Sequence, residues 1–395
     1  MNLPARVLVL GLARSGEAAA AALERRGVRV VRADRKLGND EDESLLDRVE
    51  LLVKSPGVPA EAALVGFARA RGVPVWSELE LGYRLLGEPR IVTVTGTNGK
   101  TTTSELLGSI MGAPVAGNVG RALCDLDGEV PADAWIVCEV SSFQLEDVHA
   151  FRPRVAVLLN LEPDHLDRHG TFAAYRAAKL RVFENQVGDD VAVLPRGFET
   201  VPGSARRVEF SGDDPLPAEP GIPGAHNREN AAAATAAARV VGIDDAVIAN
   251  ALRAFAGVPH RLEPIAEAGG VLWVNDSKAT NVAAAVRALA SYEAPILLIA
   301  GGRAKGESFA PLAQAAKGHV RCAYLVGEAA DALAFTLGEV PHEVSGDLAT
   351  AVRNAAAEAF AGDVVLLSPA CASYDQYSSF EERGEHFRRL VQALR

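Results

Sequence analysis

A chain of 395 residues is too long for one ordinary core, since domains run to about 150 residues, and three domains are expected. Nearly half of the residues are apolar, aromatics are few and Ala and Gly abound, which suits helices packed closely on buried sheets. A formal charge of −11 excludes a nucleic-acid surface, which needs Lys and Arg to neutralise phosphates, yet leaves room for a local cationic site and a small anionic substrate.

The first apolar run, Arg6 to Leu10, ends at Gly11, and Ala-rich sequence of helical spacing follows from Glu17 to Arg26 before a second strand-like run at Val28 to Val31. A strand, glycine turn, helix and strand in this order begin a parallel α/β sheet. Leu51 to Val53 reads as a further strand, stopped by Ser55-Pro56-Gly57. After the linker Leu86 to Pro89, the run Ile91 to Thr95 leads directly into Gly96-Thr97-Asn98-Gly99-Lys100. Ala134–Val140 and Val155–Leu159 are further buried strands, Pro202–Pro223 reads as a loop or irregular sheet edge, and Asn230–Val241 is an Ala-rich helix. Past Gly257-Val258-Pro259, strand-like runs at Val271–Val274, Ile296–Ile299, Ala323–Val326 and Val364–Leu367 alternate with helical stretches, the pattern of another parallel sheet. The boundaries read from this are 1–88, 89–257 and 258–395, all α/β.

Four cysteines, Cys124, Cys138, Cys322 and Cys371, show no CxxC spacing, so reduced, buried thiols are expected rather than a zinc site or disulfides. The sequence shows neither a basic leader followed by an apolar run nor an apolar stretch of about 18 residues, so a cytoplasmic protein without membrane insertion is expected.

Between a strand and a helix, Gly96 to Thr101 can turn backbone amides toward phosphate oxygens, with Lys100 adding a cation and Thr101 a Mg²⁺ ligand. The match to GxxxxGK[ST] is a variant, because Val94 stands where the first glycine belongs. Glu139 ends a strand where a phosphate-loop fold places a metal-binding acid, although a charge that merely closes a strand reads the same way. The run Asn160 to His169 gathers two imidazoles and three carboxylates beyond a strand, a metal or proton-transfer site or else a solvated loop. His165 is the preferred ligand there and His169 is expected at the surface.

Lys179 lies in a basic helical stretch that pattern alone calls a solvent face, and Asn227 reads equally well as a helix cap. In the last domain His260-Arg261, the run Asn275 to Asn281, Gly301 to Gly306 and Ser368 to Gln376 are polar constellations, the last three at strand ends where open parallel sheets bind ligands. At the N-terminus, Gly11 to Gly16 is too loose a match for a dinucleotide fingerprint but can cradle a diphosphate, with Asp34 and Arg35 at the next strand end.

Taken together, Gly96-Thr-Asn-Gly-Lys-Thr-Thr102, Asp164-His165, His226-Asn227-x-x-Asn230, His260-Arg261 and Asp276-Ser-Lys-Ala-Thr-Asn281 resemble the Mur ligases over essentially the whole chain. Ser141 to Leu145 and Ser368 to Gln376 are similar to the family's D-glutamate-adding branch. The resemblance implies a Rossmann-like N-terminal domain for a UDP group, a central phosphate-loop ATPase and a Rossmann-like C-terminal domain for the incoming amino acid. It implies an ATP-dependent amide ligase, a monomer, that joins D-glutamate to a UDP-linked muramoyl-alanine through an acyl phosphate. Gly96, Thr97, Asn98, Gly99, Lys100, Thr101, Thr102, Asn227, Asn230, Arg261 and Asp276 are then expected at ATP. Thr101 and Glu139 are expected on one Mg²⁺, and His165 with a carbamylated Lys179 on a second. Leu12, Asp34, Arg35, Asn118, Ser141, Gln144 and His165 fall on the UDP substrate. Lys278, Thr280, Lys305, Ser373 and Phe380 fall around D-glutamate and the reacting phosphate. Arg176 and Arg181 are candidate cations that lower the Lys179 pKa, and domain closure is expected to complete the site. Another Mur ligase or a folylpolyglutamate synthase is the alternative within the enzyme class. A nicotinamide oxidoreductase leaves Lys100 without a role, and a non-catalytic nucleotide-binding regulator predicts no amino-acid-dependent ADP release.

Overall fold

The computed structural model describes residues 3–222 and 224–394, with the Asp167 side chain, one of the three carboxylates after Asn160, also outside the described part. Contacts divide the chain into two units, Met1–Phe255 and Ala256–Arg395.

The first unit carries two sheets. In one, β1 (Arg6–Leu10), β2 (Arg29–Ala33), β3 (Leu51–Lys54) and β4 (Val75–Ser77) lie parallel in the order β2-β1-β3-β4. The short apolar runs of β1 and β3 are buried on both faces, as strands covered by helices must be. Gly11 sits at φ +86°, and a side chain at Gly16 would meet the Gly11 carbonyl at 1.8 Å, so both glycines serve the close turn after β1.

In the second sheet, β5 (Arg90–Thr95), β6 (Val115–Gly117), β7 (Trp135–Glu139), β8 (Val155–Leu158), β9 (Val191–Pro195) and β10 (Arg206–Phe210) are parallel in the order β10-β9-β8-β5-β7-β6. Val92 and Val94 of β5 share a core with Leu106, Leu107 and Ile110 of the helix Lys100–Met111 and with Ala231 to Ala238 of the helix Ala225–Val240. The small side chains let the two helices approach closely on that face. Within Pro202–Pro223, expected as a loop or irregular edge, the structure has a regular edge strand, β10, whose Arg206, Arg207 and Glu209 face solvent. Charged residues on an edge strand mask its pattern and also guard it against pairing with another chain.

The second unit is one sheet, β11 (Glu263–Ala268), β12 (Val271–Asn275), β13 (Ile296–Gly301), β14 (Val320–Val326), β15 (His342–Gly346) and β16 (Val364–Leu367), ordered β11-β12-β16-β13-β14-β15. All pairs are parallel except β11 with β12. That antiparallel edge was not legible, because Glu263-Pro-Ile-Ala-Glu-Ala268 mixes a proline and charges into the run. Cys124, Cys138 and Cys371 are buried and unpaired as expected, whereas Cys322 is half-buried. Among the described residues no helix is long and apolar enough to cross a membrane.

Candidate active site

The phosphate loop leaves the C-terminal end of the central strand β5, flanked by β7, which ends in Glu139, and β8, which runs on to Asn160. Gly99, at φ +82°, caps the helix Lys100–Met111, and a side chain there would strike Asn230 Oδ1 at 2.2 Å. Glycine is therefore required twice over, and buried Asn230 packs directly on the loop. Asn160 holds the loop from the other side: its carbonyl accepts from Thr97 N–H at 3.0 Å and its Oδ1 from Asn98 N–H at 2.8 Å. The first intrahelical bond runs from Thr103 N–H to the Gly99 carbonyl, so the amides of Thr101 and Thr102 precede the ladder, the usual setting for an anion at a helix start. Val94 belongs to β5, paired with Glu139 and Val157, so the strand continues through the position of the pattern's first glycine.

Lys100 Nζ donates to the carbonyls of Gly96 at 2.9 Å and Thr97 at 2.8 Å. Lys179 reaches the same Gly96 carbonyl, at 2.8 Å, from the helix Phe172–Leu180. That helix starts with Thr171, whose hydroxyl accepts from Ala174 N–H. Lys179 is 2 % exposed, with Nζ 4.8 Å from the centre of the Tyr175 ring, one helical turn away. Burial, then the repulsion of Lys100, brings its pKa down to about 7, against the opposing pull of Asp164 and Glu139. Arg176 and Arg181 are not the cations responsible: Arg176 pairs with Glu199 at 2.5 Å, and Arg181 with Glu184 and the Glu146 and Val148 carbonyls. The face that pattern alone gives to solvent is thus buried at Lys179, and Tyr175, whose hydroxyl lies 3.0 Å from Thr97 Oγ1, ties its helix to the loop.

Glu139 is 1 % exposed; Oε1 accepts from Asn118 Nδ2 at 2.9 Å, and Oε2 is buried without a partner. An orphaned carboxylate oxygen on the strand next to the one that feeds the phosphate loop fits a Mg²⁺ ion, which commonly takes one or two carboxylates and completes its shell with phosphate and water. Among the described residues no three of His, Cys, Asp and Glu gather as a group that could hold a metal ion.

His165, at φ +52°, opens the helix Leu166–His169, with Nε2 3.6 Å from Asp164 and its ring 4.9 Å from that of Phe143. His169 is not at the surface: its side chain is 5 % exposed, stacked on Phe143 at 5.2 Å and bonded to Ser142 Oγ at 3.0 Å. Burial holds its pKa below the usual value, so it is a packed neutral ring. Ser141 and Gln144 form a reciprocal helix cap, and the Gln144 side-chain nitrogen is buried without a partner. Asn227 lies inside the helix Ala225–Val240, whose cap is Gly224, so the cap reading fails. On the N-terminal sheet Asp34 accepts from Leu12 N–H at 2.6 Å and Lys36 N–H at 2.7 Å; these bonds lower its pKa and fix the turn after β1, with Arg35 exposed beside it.

In the second unit three loops leave neighbouring strands β12, β13 and β16. Asp276 accepts from Ser368 Oγ at 2.8 Å and Leu262 N–H at 3.2 Å, and burial raises its pKa to about 7. His260 and Leu262, either side of Arg261, have left-handed backbones at φ +62° and +43°, and the Arg261 Nε is buried without a partner. Lys305 Nζ lies 3.1 Å from Thr280 Oγ1, and Lys278 Nζ lies 5.9 Å from the centre of the Phe380 ring. Ser373 is 2 % exposed at the start of a turn. These expected amino-acid-binding residues therefore share one end of the sheet.

Residues 94–214 match the Mur ligase middle domain, and residues 260–371 match the family's glutamate ligase domain. A relative from Anaeromyxobacter dehalogenans, named UDP-N-acetylmuramoylalanine--D-glutamate ligase, is 44 % identical, with 98 % of this chain and 97 % of that one aligned. One of the same name from Natranaerobius thermophilus is 40 % identical, with 98 % of both chains aligned. The chain belongs to the Mur ligase family. It is a ligase, and since the first alignment spans 450 positions against 395 residues here, relatives carry stretches this member lacks. The solved structure of UDP-N-acetylmuramate-alanine ligase MurC from Thermotoga maritima, 18 % identical, aligns over 99 % of this chain and 100 % of its own with a TM-score of 0.61, a shared fold. E. coli FolC, solved with DHPP and ADP, shares the fold more loosely, at 20 % identity over 80 % of this chain and 92 % of its own and a TM-score of 0.57.

Proposed function

We propose that this Mur ligase joins D-glutamate to UDP-N-acetylmuramoyl-L-alanine at the expense of ATP, by way of an acyl phosphate. The γ-phosphoryl group passes to the alanyl carboxylate, releasing ADP; the D-glutamate amine then attacks the activated carbonyl, phosphate leaves and the amine gives up a proton. Phosphoryl transfer needs positioning and charge neutralisation more than covalent help. The observation that carries the reading is the gathering of Lys100, Lys179 and the half-partnered Glu139 around one glycine loop, Glu139 from the end of a strand and the two lysines from helices.

Lys100 and the amides of the loop bind the phosphates. Thr101 and Glu139 would hold one Mg²⁺, and His165 with Lys179 would hold a second; metal bound there would neutralise phosphate charge. For this Lys179 must be an anion, which its neutral amine becomes by adding CO₂: a nitrogen–carbon bond forms and one proton is released. A pKa near 7 keeps much of the amine neutral and able to react. Asn227, Asn230, Arg261 and Asp276 serve ATP. Leu12, Asp34, Arg35, Asn118, Ser141 and Gln144 serve the UDP substrate, and Lys278, Thr280, Lys305, Ser373 and Phe380 the amino acid. Three domains bounded near residues 88 and 257, a cytoplasmic location and a monomeric state complete the proposal.

The test is ADP release by the purified chain with UDP-N-acetylmuramoyl-L-alanine and D-glutamate, L-glutamate or a folate. ADP formed with D-glutamate alone is expected; equal turnover of L-glutamate, or a requirement for folate, would reject the assignment.

A further inference from the structure

Arg383 appears in none of the motifs above, yet its side chain is bonded to two of the three strand-end loops of the second unit and touches the third. It lies on the helix Phe380–Gln392 and is 2 % exposed. Nε donates to Ser277 Oγ at 3.0 Å, and one terminal nitrogen donates to the Ser277 carbonyl at 2.9 Å and the Cys371 carbonyl at 3.2 Å. The other terminal nitrogen lies at the longer distances of 3.4 Å from the Ala372 carbonyl and 3.5 Å from that of Gly301. Ser277 in turn donates its hydroxyl proton to the Phe380 carbonyl at 2.8 Å. One planar guanidinium thus reaches the loops after β12, β13 and β16, the loops that carry Lys278 and Thr280, Lys305 and Ser373.

All of its bonded partners are neutral oxygens. Among the described residues no carboxylate comes within salt-bridge distance; Asp375 acts on it only from farther away. Burial lowers its pKa to about 10, so the group stays charged at neutral pH. The next residue, Gly384, lets the helix sit close to this cluster, since a side chain there would meet His260 Nδ1 at 2.2 Å. A buried cation whose bonds are all to carbonyls and a hydroxyl leaves positive potential for an incoming anion, and at this end of the sheet it joins Lys278 and Lys305.

We infer that Arg383 is the positioning residue of the amino-acid subsite, setting the three loops in register and biasing them toward a dicarboxylic amino acid. The inference rests on the reading of this unit as the D-glutamate subsite. Wild-type turnover with D-glutamate is therefore measured first, so that failure of that reading is seen before any variant is interpreted. Steady-state kinetics follow for Arg383→Lys and for the milder Ser277→Ala, which removes one acceptor of the guanidinium and leaves Arg383 in place. Lysine keeps the charge but loses the fork that spans several acceptors. The expected result is a KM for D-glutamate raised about tenfold in Arg383→Lys and about threefold in Ser277→Ala, with the KM for ATP and for the UDP substrate within about twofold of wild type. If Arg383→Lys is insoluble, Ser277→Ala alone decides. An unchanged KM for D-glutamate overturns the proposal, as does a loss of kcat that leaves all three KM values in place, the mark of a smaller folded fraction.

Discussion

Lys179 and Arg383 are both buried cations, and they answer burial differently. Lys179 has one carbonyl acceptor and a second ammonium beside it, and its pKa falls to about 7. Arg383 spreads its charge over a fork of donors, each with an acceptor, and falls only to about 10. A lysine ammonium is a compact charge that loses its proton when desolvated, whereas a guanidinium is delocalised and keeps it. Burial therefore prepares a nucleophilic amine in the first unit and a fixed electrostatic strut in the second.

The largest expected effect tests the first half of that contrast. Lys179→Ala should lower turnover by at least about a thousandfold, with partial recovery on adding formate or acetate, which can place a carboxylate in the vacated space. Lys179→Arg should be as inactive and not recover, because its side chain fills the space and cannot accept CO₂. Full activity in the arginine variant would mean that a cation is all the site needs, and the contrast with Arg383 would vanish.

A smaller effect concerns what the two lysines face. Asn118, proposed at the UDP substrate, also donates to Glu139 and so orients its free oxygen. Asn118→Ala should raise the Mg²⁺ concentration for half-maximal turnover on the order of tenfold, the usual cost of losing a residue that orients a metal ligand. A titration that superimposes on wild type would remove Glu139 from the metal.

The smallest effect extends the comparison to a buried acid. Glu78 is completely buried, its Oε1 accepting from Cys124 N–H at 2.8 Å while Oε2 has no partner, and burial raises its pKa to about 7. Between the unfolded value near 4.5 and about 7 the folded state holds a proton that the unfolded chain has lost, so stability falls as pH rises through this window. The cost above pH 7 reaches up to about 3 kcal/mol. Glu78→Gln, the neutral isostere, should melt at the same temperature as wild type at pH 4.5 and several degrees above it at pH 8. Parallel melting curves at both pH values would show that Glu78 titrates normally.

Much of the architecture was legible because it is local. Apolar runs of four to six residues marked β1, β3, β5, β8, β12, β13 and β16, and the glycine loop between a strand and a helix marked the phosphate site. The edge strands β10 and β11 were hidden by their charges and a proline. Pattern alone gives the helix of Lys179 to solvent for a related reason. Its basic residues suggest solvent, but Arg176 and Arg181 point to carboxylates and carbonyls elsewhere while Lys179 turns inward with Tyr175. The four-residue spacing of Tyr175 and Lys179 was the available signal, since it puts both on one helical face. His169 was misplaced likewise, its ring covered by Phe143.

By itself the sequence determined the parallel α/β units, the phosphate loop and the family motifs, because each depends on residues a few positions apart whose spacing sets strand, turn and helix. Only the tertiary structure decided which charges are buried and what they meet. Lys179 finds its carbonyl 83 residues away and Arg383 its hydroxyl 106 residues away, distances over which spacing carries no information. Desolvation, which separates the reactive amine from the fixed guanidinium, depends on every neighbour packed around the group, and those neighbours are assembled only by the fold.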